Sequence, residues 1–351
     1  MRILALAQDG FGGFGGVARY DAAFLAALAQ CERVDEVVVV ARGGSGKGRP
    51  ARCRQFGPFP SKAAFVAAVF ATVVRARRFD LVWCGHINLA PLALAVARGI
   101  GCPWWLQLHG IDAWKRPARL RAEAAERADL VLAVSRYTRE RFLAWANIEP
   151  ARVKVVPNTV EERFSPGPRS PALLARYGIE GRRVLLTVAR LSKSDGYKGV
   201  DLVLCLLPEL KDRIPNLAYL VVGDGDDRPR LERLARELGV AGQVRFVGRV
   251  PDEELVDHYR LADLFVMPSK KEGFGIVFLE AMACGVPALG LNVDGSVDPL
   301  SLEPLGHAVA EPELASTIAR LLADPPPRQP RPRIGVFSKE AFRTRVSALV
   351  E

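Results

Sequence analysis

The chain has 351 residues, more than the roughly 250–300 at which a single hydrophobic core stops growing, so two domains of ordinary size are expected. Its 49% hydrophobic and 25% charged residues are those of a globular protein, and no apolar run approaches the roughly 20 residues of a helical membrane span, which excludes one. The net charge of +10 is unevenly placed: residues 1–160 hold 23 Lys/Arg against 12 Asp/Glu, residues 161–351 hold 26 against 27, which turns the first half toward an anionic partner such as lipid head groups, a phosphorylated acceptor or nucleic acid.

In chain order, MRILALAQ is too short and lacks the cleavage pattern of a secretory signal; it reads as the first strand of a cytoplasmic protein. The glycine-rich turn FGGFGGVARY (11–20) follows it and leads into a helix. Its spacing is not G-x-G-x-x-G, and the next strand, EVVVVARGG, ends without an acidic ribose ligand, so a dinucleotide site is disfavoured. Further short apolar runs follow: LVWCG (81–85), WWLQLHG (104–110), LVLAVS (130–135) and VKVVPN (153–158). Between them lie helix-favouring stretches such as VARYDAAFLAALAQ and LRAEAAERA, and alternation of this kind predicts a doubly wound parallel sheet.

The pattern restarts with RVLLTVA (183–189), AYLVVGDG (218–225), VRFVG (244–248), LFVMPS (264–269) and PALGL (287–291), which predicts a second sheet. Proline and glycine cluster at 162–174, placing the division at domains 1–165 and 166–336. DPPPRQPRPR (324–333) reads as a stiff linker before a last helix, about 337–351, that packs back on the first domain. The six cysteines are scattered without metal-ligand spacing and read as reduced thiols, mostly buried. Two such sheets are expected to face each other across an interdomain cleft, with ligands beyond the carboxyl ends of the strands.

The stretch KKEGFGIVFLEAMACGVP (270–287) carries the most chemistry. Gly273 and Gly275 allow close backbone approach, and the unpaired amides of the helix that follows attract phosphate. Glu272 and Glu280 cannot favourably touch phosphate, so their presence beside an anion site suits a ligand that also carries hydroxyls: a nucleotide sugar.

With PS before it, this stretch resembles the donor-binding signature of the retaining family 4 glycosyltransferases, whose GT-B fold is α/β with two Rossmann-like domains. The likeness covers most of the chain and is weakest from about 45 to 80 and after 300. It implies donor contacts from Gly273, Phe274, Gly275, Ile276 and Glu280, with Glu272 over the sugar. In VARLSKSDGYKGVD (188–201) it implies that Arg190 and Lys198 hold the diphosphate and neutralise charge on the leaving group. In QLHGIDAW (107–114) it implies that His109 meets the transferred sugar, beside Asp112. Gly15 and Gly16 would close on the diphosphate or border the acceptor, and Arg249 and Val250 would meet the nucleobase through their backbone. Asn158 lies in PNTVEE, where threonine replaces the family's usual glycine and packing is the expected role. NVDGSVDPL (292–300) stands in place of the family's Gly-Gly-x-x-Glu arrangement, so that acidic residue is not identified.

The resemblance implies transfer of a hexose from a UDP-sugar or GDP-sugar with retained configuration, by front-face attack. No metal cofactor is expected, since GDGDD (223–227) resembles the family's GDG turn rather than a D-x-D metal motif. The expected acceptor is a glycan or a polyprenyl-diphosphate-linked or other lipid-linked glycan. The apolar stretch 61–80, ending in Arg75, Arg77 and Arg78, would rest the first domain on an anionic membrane surface. The alternatives are another GT-B enzyme, such as an epimerase, and a non-catalytic sugar-nucleotide or nucleic-acid binding module. No nucleic acid is expected, because the basic half lacks interleaved aromatic residues.

Overall fold

The computed structural model describes residues 1–76, 78–326 and 334–351. Arg77 and most of the Pro/Arg stretch read as a linker lie outside the described residues. The chain divides into two compact units, Met1–Thr159 with Lys339–Glu351, and Val160–Ser338.

Among the described residues, the strands of the first unit are β1 (Arg2–Asp9), β2 (Glu36–Gly43), β3 (Cys53–Phe56), β4 (Leu81–Cys84), β5 (Trp104–Leu108), β6 (Leu130–Ala133) and β7 (Val153–Val155). They form one parallel sheet in the order β3-β2-β1-β4-β5-β6-β7. Ile3 to Ala7 are fully buried because helices cover both faces of the sheet, which is why the central strands read as unbroken apolar runs. On one face the helix Gly16–Gln30 buries Tyr20, Phe24 and Leu28, one helical turn apart. Phe24 stacks on Trp83 at 5.4 Å, and Phe342 of the helix Lys339–Ser347 meets Tyr20 and Phe24 edge-on at 5.8 and 6.5 Å, so the last helix belongs to this unit. On the other face Phe65 and Val69 of the helix Lys62–Ala76 join Val38, Val82 and Leu106.

The second unit contains β8 (Arg183–Val188), β9 (Leu217–Val222), β10 (Val244–Gly248), β11 (Leu264–Val266), β12 (Ala288–Leu291) and β13 (Gly306–Val309), paired in parallel in the order β10-β9-β8-β11-β12-β13. The helix Val200–Arg213 buries Val203, Leu204, Leu207 and Leu210 on its core face, with Leu231, Leu314 and Ile318 in the same cluster. β3 and β13 are strands that the sequence did not announce; both are edge strands with a largely polar or half-exposed face. All six cysteines are free; four are buried, Cys102 is half-buried and Cys205 exposed.

In each sheet the strand order reverses at one place. β1 lies between β2 and β4, and β8 lies between β9 and β11. Loops leaving such neighbouring strands diverge to opposite faces and open a crevice at their carboxyl ends. Beside β8 the crevice wall is held by the GDG turn. Gly223 has φ 136°, its amide donates to the Gly248 carbonyl at 2.9 Å, and a Cβ there would lie 1.8 Å from the Ala189 carbonyl oxygen. Gly223→Ala is therefore expected to lower the melting temperature by roughly 5 °C or more, from strain and a displaced β8 exit; an unchanged thermal melt would disprove the close approach.

Candidate active site

The loop after β8 and the loop after β11 meet at the reversal point of the second sheet. Gly199, at φ 75°, lets the first pass under the second: a Cβ there would sit 2.6 Å from the Pro268 carbonyl oxygen. The Lys270 amide donates to the Tyr197 carbonyl at 2.9 Å. This brings Lys198 and Glu272 together although 74 residues separate them, with Nζ on Oε1 and side chains 19% and 14% exposed. Arg190, nearly three-quarters exposed, is tied through Nε to the buried carboxylate of Asp195 at 2.5 Å, and Arg190, Asp195 and Lys198 line one hollow of this unit. The ring of Tyr197 carries the Lys198 and Lys271 ammonium groups at 5.6 and 5.9 Å from its centre, adding a cation that the sequence reading passed over.

Sequence reasoning also missed Asp294. Its side chain is fully buried; Oδ2 accepts the Glu272 amide at 2.6 Å, and Oδ1 accepts the Ser296 amide at 2.9 Å and hydroxyl at 2.6 Å. Burial raises its pKa above the usual carboxylate value, and the Glu272 and Ser296 donors pull against that rise. Gly295 lies so close to the Glu272 loop that a Cβ would fall 2.1 Å from the Gly273 carbonyl oxygen, and its amide donates to the Glu272 carbonyl at 2.8 Å. The loop after β12 thus fixes the backbone that carries Glu272. The signal available in the sequence was the D-G-S run in NVDGSVD, an aspartate able to cap its own turn.

Gly275 caps the helix Ile276–Ala283 at φ 81°, and a Cβ there would strike the Phe278 ring at 2.6 Å. Gly273 and Ile276 are half-buried, whereas the Phe274 ring is 2% exposed and packs on Phe337 at 5.6 Å, leaving only its backbone for a ligand. Glu280 is 1% exposed, and its Oε2 accepts the Tyr259 hydroxyl at 2.7 Å, so this carboxylate is oriented by Tyr259. Arg249 is exposed and Val250 half-buried just after β10.

In the first unit, Gly15 caps the helix Gly16–Gln30 at φ 91°, and a Cβ at Gly15 or Gly16 would meet no atom within 4 Å, so both face open space at the exit of β1. His109 follows β5 at 7% side-chain exposure. Its Nε2 lies 2.9 Å from the Gly85 carbonyl oxygen and 3.2 Å from Oδ1 of the fully buried Asp21. His86, 3.8 Å from Asp112, stacks over His109 with ring centres 6.3 Å apart. Burial lowers the His86 pKa to about 4 and raises those of Asp21 and Asp112 to about 6. For His109 burial opposes the charge, but Asp21 and then Asp112 outweigh it and raise the pKa. Asn158 and Thr159 are buried at the end of this unit.

Residues 171–334 match the family described as Glycosyl transferases group 1, and residues 14–164 match Glycosyltransferase Family 4. The chain is 34% identical over 278 residues to the GDP-mannose-dependent alpha-(1-6)-phosphatidylinositol monomannoside mannosyltransferase of Mycolicibacterium smegmatis, covering 74% of this chain and 72% of that protein. It is 31% identical over 289 residues to D-inositol 3-phosphate glycosyltransferase 1 of Catenulispora acidiphila, covering 75% and 68%. Among solved structures, Anabaena HepE in complex with UDP superposes with a TM-score of 0.79 at 22% identity, covering 100% of this chain and 99% of that one, a likeness of fold.

Removing the Asp294 carboxylate leaves the Glu272 amide and the Ser296 hydroxyl without their buried acceptor. Asp294→Ala is expected to cost about 1–3 kcal/mol of stability and to loosen the Glu272 loop, read as faster amide exchange at residues 272–275; unchanged exchange there would refute the bracing role.

Proposed function

The chain belongs to the family 4, group 1 glycosyltransferases of GT-B fold, and from that premise we propose that it transfers a hexose from a nucleotide-diphosphate sugar to an acceptor hydroxyl with retained anomeric configuration and without a metal ion. The observation that carries this reading is the Lys198–Glu272 pair at the strand reversal of the second sheet, beside Arg190 and the helix mouth at Gly275. The amides at Gly275 and Ile276 and the Arg190 and Lys198 cations would hold the diphosphate and neutralise charge on the departing oxygen, the work a metal does elsewhere. Glu272 would accept from sugar hydroxyls, Glu280 from the ribose, and His109 would hydrogen-bond the sugar. Gly15 and Gly16 would admit the diphosphate or the acceptor, and the backbone at Arg249 and Val250 the base.

Retention is supported by the state of the two carboxylates. Glu272 is bound to Lys198 and Glu280 to Tyr259, so neither is disposed as the nucleophile of a double displacement. Front-face attack, with the leaving diphosphate oxygen taking the acceptor proton, requires no such nucleophile. GDP-mannose is the first donor to test, because the mannosyltransferase of M. smegmatis is named for that donor. UDP-glucose is the second, since Anabaena HepE has been crystallised with it.

The acceptor is proposed to sit on an anionic lipid. The M. smegmatis relative is named for a phosphatidylinositol monomannoside, and the helix Lys62–Ala76 turns Val66, Phe70 and Val74 outward, 37%, 47% and 78% exposed, one turn apart between Lys62 and Arg75. An apolar stripe ending in cations on a basic unit suits a membrane surface. No helix among the described residues is long and apolar enough to cross one.

Turnover with GDP-mannose or UDP-glucose and a lipid acceptor is expected to fall by roughly 10²-fold or more in Arg190→Ala and in Lys198→Ala. Near-parental rates in both would end the assignment, and an inverted product would end the retaining mechanism. In flotation assays, vesicles rich in phosphatidylinositol are expected to carry the parental chain at low salt and to release a Phe70→Glu, Val74→Glu variant; equal flotation of both would exclude this helix as the contact.

A further inference from the structure

The first sheet reverses at β1 and β4, and there the protein buries two carboxylates and two imidazoles, of which only His109 enters the function proposed above. Asp21 is 0% exposed on the helix that follows the glycine loop. Burying a carboxylate without an ionic partner costs several kcal/mol, and no apolar requirement of the fold places one here. Its Oδ1 lies 3.2 Å from His109 Nε2, an ion-pair contact, and neither Oδ1 nor Oδ2 has a hydrogen-bond partner among the described residues. The approach depends on Gly85: a Cβ there would come within 3.0 Å of Asp21 Oδ2 and 2.8 Å of the Trp83 ring. The Gly85 carbonyl, 2.9 Å from the same His109 nitrogen, completes the cradle. Two chain segments therefore converge on one ring atom of a third.

We propose that Asp21 is a positioning residue for His109: Nε2–H donates to the Gly85 carbonyl, and the Asp21 carboxylate beside it, as ion-pair partner, fixes the ring and favours its positively charged form, so that Nδ1–H is the donor offered to a substrate hydroxyl. Nδ1 has no hydrogen-bond partner among the described residues. An aspartate behind a histidine selects tautomer and orientation in the same way wherever the imidazole must present its other nitrogen. The remaining groups facing the pair are Asp112 in the turn after β5, His86 after β4, Asp9 at the end of β1 and Tyr20 on the same helix as Asp21. Asp112 reinforces the charge on His109, whereas burial, with the neighbouring His109 and Arg121 charges, keeps His86 neutral near pH 7. Tyr20 meets the His109 ring edge-on at 5.4 Å.

The pair is testable without any activity, whereas its catalytic consequence rests on the function proposed above. The chain has only four histidines, so ring signals of the full protein can be followed by NMR from pH 5 to 9, with His109→Gln identifying the signal. His109 is expected to titrate above its ordinary 6.5, because its folded value is raised, and to fall by roughly one pH unit or more in Asp21→Asn. A His109 that titrates at or below 6.5 in the parental chain overturns the proposal, whether or not the variant folds. So does a midpoint that Asp21→Asn leaves in place. In transfer assays, Asp21→Asn is expected to lower kcat roughly 10-fold to 10²-fold with donor KM within about twofold, and to move the alkaline limb of kcat to lower pH by the NMR shift. Loss of kcat with an unmoved pH profile would make Asp21 merely structural. Absence of transfer in the parental chain would fell the functional reading and leave the pair to be judged by its titration.

Discussion

A lysine ammonium four-fifths buried is stable only if a carboxylate is delivered to it, and in this chain the delivery depends on the order of the strands. β8 and β11 are neighbours in the sheet although some 75 residues separate them, because the chain winds outward in one direction from β8 and later returns to its other side. The helices that follow them lie in different layers: Val200–Arg213 packs beside Arg228–Glu237 and Leu314–Ala323, and Ile276–Ala283 beside Leu255–Leu261 and Val297–Leu300. The exit loops therefore cross at one point, and that point receives Lys198 and Glu272. Desolvating either charge alone would cost several kcal/mol. Three glycine approaches, Gly199 on Pro268, Gly223 on Ala189 and Gly295 on Gly273, bring the loops close enough to make the pair.

The same constraint explains what the sequence could and could not disclose. Strands buried on both faces must be apolar throughout, so β1, β2, β4 to β6, β8, β9 and β11 stand out as short runs, and their alternation with helices predicts two parallel sheets; the GT-B fold is implied only by the resemblance carried by residues 268–287. β3 and β13 did not stand out, because an edge strand such as CRQF needs only one buried face and may alternate with Arg and Gln. Residues of the site were legible where they formed a local pattern: E-x7-E with its glycines, the Arg and Lys after β8, the His after β5. Asp294 and Asp21 were not, since their roles arise from contacts across 22 and 88 positions and leave no spacing to recognise. Nor did the pattern reveal that Phe274 is core; a phenylalanine between two glycines reads alike whether its ring points toward a ligand or toward Phe337.

Each unit uses the strand reversal, but with different charge. The second unit lines its crevice with Arg190, Lys198 and Lys271 around Tyr197, a surface suited to phosphate. The first unit, which carries the surplus of basic residues, places Asp21, Asp112 and two imidazoles at its own reversal instead. Its positive charge is spent elsewhere, in part beside the exposed apolar stripe of Lys62–Ala76. A surface that attracts anions and an interior that holds carboxylates have separate tasks under the proposals made above: the former would bring the unit to an anionic layer, and the latter would set the protonation of one histidine.

The carboxylates decide which mechanism the site can support. Asp195 is committed to Arg190, Glu272 to Lys198, Glu280 to Tyr259, Asp294 to the Glu272 amide and Ser296, and Asp21 to His109. A carboxylate that already accepts a strong donor is less basic and hence less nucleophilic than a free one. Arg190 and Lys198 are held in these same pairs, so in the proposed reaction an arriving diphosphate would share them with Asp195 and Glu272, and together with the backbone amides they would act on a leaving group rather than on the anomeric carbon. The proposed front-face transfer is compatible with that division: these side chains would lower the energy of the departing diphosphate, and the acceptor hydroxyl would then lose its proton to the oxygen that has just become most basic.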